Sequence, residues 1–88
     1  MEIARVLGAV QAVRTVEGAE RIRWVRLDCG GAFLTAADLV CADRGDLVLV
    51  CRGSAAGRLT AECPVDAAVV AVLEEVEKKI DKPGERQL

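Results

Sequence analysis

The run Leu47-Val48-Leu49-Val50 has no polar position, ends at Gly53-Ser54-Ala55-Ala56, and gives way to Pro64-Val65-Asp66-Ala67-Ala68-Val69-Val70. An unbroken apolar run of strand length predicts a strand covered on both faces. Gly53 stops it, and the small residues that follow form an elbow. Small residues there let backbones approach closely, within the fold or from a neighbouring subunit. An X-Pro-X-Asp corner then reopens an apolar segment. No nucleophile with a base stands out in this order, so it reads as architecture.

The rest of the chain has the same character. Glu2 to Val13 alternates imperfectly and carries Ile3, Val6, Val10 and Val13, which predicts a long strand with Gly8 as a bend or bulge. Thr15 to Glu20 is a polar loop around Gly18. Arg21 to Asp28 predicts a second strand, with Ile22, Trp24, Val25 and Leu27 competing for the inside and Arg21, Arg23 and Arg26 facing water. Cys29-Gly30-Gly31-Ala32 is a tight turn, since paired glycines accept positive φ, and Phe33 to Ala37 returns as a third strand. Asp38 to Asp46 is a connection in which Asp38 is placed to accept backbone N–H bonds. Leu47 to Arg52 is the fourth strand. Ser54 can cap one helical turn through Ala55-Ala56, and Arg58 to Cys63 connects onward. Val65 to Ile80 suits either a strand, through Val69, Val70, Val72 and Val76, or an amphipathic helix with Pro64 near its first turn. Asp81 to Leu88 is a polar tail, leaving residues 1–80 as one domain.

Five short strands and a small helix predict an all-β fold, a small, partly open, OB-like five-stranded barrel. A chain of 88 residues buries only about 60–65% of its unfolded surface, yet 52% of its residues are hydrophobic. Only Trp24 and Phe33 are aromatic, so the apolar content is Val, Ala and Leu in thin layers. That is more apolar surface than a small monomer hides easily, and it predicts oligomerisation.

Net charge is −2 and no histidine is present. Arg14, Arg21, Arg23 and Arg26 interleave with Glu17, Glu20 and Asp28, a solvated face of mixed sign rather than a basic stripe for nucleic acid. The longest purely apolar run, Ala67 to Leu73, is far below the ~18–20 residues of a membrane span. Met1-Glu2 opens no secretory signal, so a cytosolic protein is expected. Cys29, Cys41, Cys51 and Cys63 lie too far apart for the close pairs of structural zinc sites. In a cytosolic chain they stay reduced, and Cys41 and Cys51 read as small buried hydrophobes.

The order of segments resembles the small vertex proteins of bacterial microcompartment shells, the ethanolamine-utilisation and carboxysome vertex family. The resemblance runs from Met1 to about Val76. It is carried by Ile3-Ala4-Arg5-Val6-Leu7-Gly8-Ala9-Val10, Ala37-Asp38-Leu39-Val40, Arg44-Gly45-Asp46-Leu47-Val48-Leu49-Val50, Gly53-Ser54-Ala55-Ala56, and Pro64-Val65-Asp66 before Val69-Val70-Ala71-Val72. One departure stands out: the family's arginine after the elbow falls on Gly57, with Arg58 one place later.

The resemblance implies a barrel whose last strand spans about Ala68 to Glu75, so it favours the strand over the helix. It implies a homopentamer that caps shell vertices among hexameric shell proteins, with no enzymatic activity, cofactor, metal, nucleic acid or membrane. Under it, Gly53, Ser54, Ala55 and Ala56 are candidates for the subunit interface or the rim of a central opening, beside the simpler reading of an ordinary elbow. Asp38 and Asp66 hold loop or helix N–H groups within or across subunits, local capping being the simpler reading. Trp24 fits a core position or an interface anchor equally. Two rivals come from other classes. An oligonucleotide-binding barrel needs a basic groove with aromatic platforms, which this composition lacks. A small cysteine-containing metal-binding or redox module would rest on the four cysteines alone.

Overall fold

Five strands form from short segments rich in apolar residues: β1 (Glu2–Val10), β2 (Trp24–Asp28), β3 (Phe33–Asp38), β4 (Leu47–Arg52) and β5 (Ala67–Leu73). The structure is a computed structural model that describes residues 1–53, 56 and 65–74. The strands pair in the order β1-β2-β3-β5-β4 and β4 returns to β1, closing a barrel. Four of the pairings are antiparallel. The fifth, β3 with β5, is parallel and spans two residue pairs, Ala37↔Ala68 and Asp38↔Val69. The expected five-stranded barrel therefore forms, but closed rather than partly open, shut by one short seam between β3 and β5.

A five-stranded ring leaves a narrow lumen, which explains the lack of aromatic residues. Val6, Val25, Leu27, Val48, Val50 and Val69 fill it, with Ala4, Ala36, Ala42 and Ala67 between them. Trp24, left open by the sequence, lies on the outside of the barrel. There it packs with Ile22, Val65 and Val70 against a second cluster of Ala37, Ala56 and Ala68. Those three alanines have no exposed surface. Their small side chains let Ala56 lie directly on the barrel wall near the β3–β5 seam.

Two bulges shape the ring. The register of β1 against β2 shifts between Val6 and Gly8, where the sequence predicts a bend. The register of β4 against β5 shifts as well, so that Val50 faces Val69 while Leu49 faces Ala71. An extra residue of this kind increases local twist, which helps a small sheet to close.

Some strand ends differ from expectation. β1 stops at Val10 rather than Val13, because its partner β2 begins at Trp24, opposite Val10. β2 accordingly starts at Trp24 rather than Arg21, and β5 runs Ala67–Leu73. The segment after Pro64 is thus a strand over that range, as the resemblance implies. Cys41 corrects the reading of a small buried hydrophobe: it is exposed, whereas Cys51 is buried. Its backbone turns through φ +57°, a left-handed conformation that directs the thiol out of the core. Cys41→Gly is expected to raise stability by up to about 1 kcal/mol by removing that strain, read from urea unfolding. Ser54, Ala55, Cys63 and the tail 81–88 lie outside the described residues.

A candidate self-association surface

Alternation along β4 sends Val48 and Val50 into the barrel and Leu47 and Leu49 outward, where they are only half-buried. The outward residues meet their neighbours in rows. Ile3 of β1, Leu49 of β4 and Ala71 of β5 lie side by side in one row. Arg5, Leu47 and Leu73 form the next. Ile3 is 57% exposed, and Leu49, Ala71 and Leu73 are half-buried. The strand expected to be covered on both faces is therefore covered fully on one. The sequence did not single out this row. Its only signal was the lack of any polar residue between Leu47 and Cys51.

Asp38 holds the connection between β3 and β4. Its side chain has no exposed surface. One carboxylate oxygen accepts from the Val40 N–H at 3.1 Å. The other accepts from the Ala42 N–H at 2.8 Å and from Arg23 Nε at 2.7 Å. Arg23 Nη2 then donates to the Ala42 carbonyl at 2.9 Å. The guanidinium's hydrogen bond to Asp38 raises its pKa above the ordinary arginine value. Arg23 is exposed, as expected, and is anchored on one side by this pair.

The remaining candidates are distributed differently. Gly53 is exposed at φ +72°, its N–H donating to the Asp66 carbonyl at 2.8 Å. Its own carbonyl accepts from the Ala56 N–H at 3.0 Å. Asp66 is exposed and holds Gly53 through its backbone carbonyl, while Ala56 is wholly buried in the second cluster. Gly53, Ala56 and Asp66 thus come together, and Asp38 belongs to a separate staple. A Cβ added at Gly53 would meet no atom within 4 Å, so only the backbone resists substitution. Gly53→Ala is expected to cost about 1–2 kcal/mol, and Gly53→Asn less, by urea unfolding.

Among the described residues, no three His, Cys, Asp or Glu side chains gather into a metal-ligating group. Among those residues, too, no helix is long and apolar enough to cross a membrane.

A closed five-stranded barrel with a stapled connection and a partly exposed apolar outer row defines a small all-β protein suited to self-association. Residues 1–74 match the family model described as ethanolamine utilisation protein EutN/carboxysome, and the chain belongs to that family. It is 39% identical over 87 residues to the carboxysome shell vertex protein CcmL of Thermosynechococcus vestitus, covering 89% of this chain and 88% of that protein. The solved structure of CcmL from Nostoc sp. PCC 7120 superposes with a TM-score of 0.76 at 31% identity, over 86% of this chain and 92% of that one. GrpN, a pentameric microcompartment shell protein from Rhodospirillum rubrum, gives a TM-score of 0.74 at 26% identity, over 88% and 99% of the two chains.

Proposed function

We propose that this chain is the vertex subunit of a bacterial microcompartment shell. Five copies close into a ring, and the ring occupies the corners of a shell otherwise tiled by hexameric proteins in the bacterial cytoplasm. The role is mechanical and needs no catalytic group or cofactor. A flat sheet of six-sided tiles cannot close, and five-sided units at its corners supply the missing curvature. The observation that carries this reading is the Ile3–Leu49–Ala71 row, apolar and partly exposed on a barrel whose relatives include pentameric shell proteins. An interface between permanent partners resembles a core cut in half, and this row is one half of such a core.

The test is to assemble hexameric shell proteins with and without this chain and to image the particles. Closed polyhedra are expected when it is present, and open or elongated forms when it is absent. Equal numbers of closed particles in both preparations would refute the vertex role.

A further inference from the structure

A contact between two copies of the same patch joins subunits in pairs. A closed ring of five therefore needs each contact to join two unlike surfaces. The Ile3–Leu49–Ala71 row supplies one, so each copy must carry another.

A second partly exposed surface, with apolar and polar groups in comparable share, lies where β1 ends and β2 begins. It is a groove of about 440 Å³ whose lining includes Val10, Ala12, Ile22 and Trp24, with Glu20 and Arg23 also along it. The loop that borders it carries Val13 and Val16, which are 93% and 71% exposed. Val10 stands seven residues after Ile3 on β1, roughly 23 Å away by the rise of a strand. The row and the groove thus sit towards opposite ends of one strand, separate enough to meet different neighbours.

Their charges also match. Arg5 flanks the row, and one of its nitrogens, Nη1, donates to the Gly45 carbonyl at 3.1 Å, leaving further N–H groups for an acceptor. Glu20 borders the groove, and its Oε1 accepts from the Gly18 N–H at 3.0 Å, leaving the second oxygen available. Among the described residues neither side chain forms an ion pair.

We infer that the ring contact seats the Ile3–Leu49–Ala71 row of one copy in the Val10–Trp24 groove of the next, with Arg5 facing Glu20. The inference rests on the fivefold reading above and names the two surfaces that reading requires.

The test uses one variant for each surface. Ile3→Glu blocks the row, and Val10→Glu blocks the groove. Each variant alone is expected to sediment as a monomer with the strand signal of the native barrel in circular dichroism. Mixed in equal amounts, they retain one intact row and one intact groove between them. The mixture is expected to form dimers holding one copy of each variant, with an association constant at least about 30-fold above that of either variant alone. Should Val10→Glu lose the strand signal, Val13→Glu replaces it, because a side chain 93% exposed contributes nothing to the barrel interior. A ring that survives the groove variants, or a mixture no more associated than its components, overturns the inference while leaving the fivefold ring intact. Unmodified protein that forms no ring of five would instead remove the reading beneath it.

Discussion

Asp38→Ala is expected to lower the unfolding free energy by about 2–3 kcal/mol, the cost of leaving the backbone N–H groups of Val40 and Ala42 without their acceptor. The ion pair itself adds little because the Arg23 side chain is 44% exposed. The loss has three parts. The N–H groups of Val40 and Ala42 lose the acceptor that holds them at 3.1 and 2.8 Å. Arg23 loses the carboxylate at 2.7 Å that positions its guanidinium over the Ala42 carbonyl. Cys41, strained at φ +57°, loses the staple that keeps the connection in that shape. Asp38→Asn keeps one acceptor oxygen and turns an amide towards the guanidinium, so an intermediate loss is expected. Urea unfolding in the Ile3→Glu background separates this effect from assembly. A loss below about 1 kcal/mol, the size of a single ordinary hydrogen bond, would show that the staple does not hold the barrel.

Ile3→Glu is expected to break the ring outright. It places a carboxylate at the β1 end of an apolar row, and taking that ion out of water costs several kcal/mol, of which about 2–4 kcal/mol per contact is expected to remain after relaxation. Such a loss weakens each contact about 30- to 700-fold. Every subunit of a ring takes part in two contacts, so the effect falls on both sides of each copy. The barrel itself should persist, since Ile3 is 57% exposed in the single chain. Sedimentation velocity at micromolar protein should show monomers for Ile3→Glu and unchanged rings for Thr35→Glu, an exposed site on β3 away from both surfaces. Intact rings from Ile3→Glu would remove the row from the interface.

Local signals carried much of the fold. The paired glycines Gly30 and Gly31, at φ +77° and +101°, marked the β2–β3 hairpin. The bulge at Gly8 and the limits of β4 were equally readable, because each depends on residues adjacent in the chain. Tertiary facts were less accessible. Val13 looks like the end of a strand, but strand identity requires a partner, and β2 begins too late to give one. The segment from Val65 was ambiguous because its valines favour a strand while Pro64 and the charges after Leu73 suit a helix. The Asp38–Arg23 pair joins positions fifteen residues apart and had no local trace. The exposure of Cys41 follows from that same staple. The row is the clearest case: Ile3, Leu49 and Ala71 are ordinary residues separately and become a surface only through the registers of β1, β4 and β5.

Native mass spectrometry of the unmodified protein addresses the self-assembly of this barrel most directly. A dominant species of five chains is the expected result. A monomer, a dimer, or a ring of any other order at micromolar concentration would contradict it.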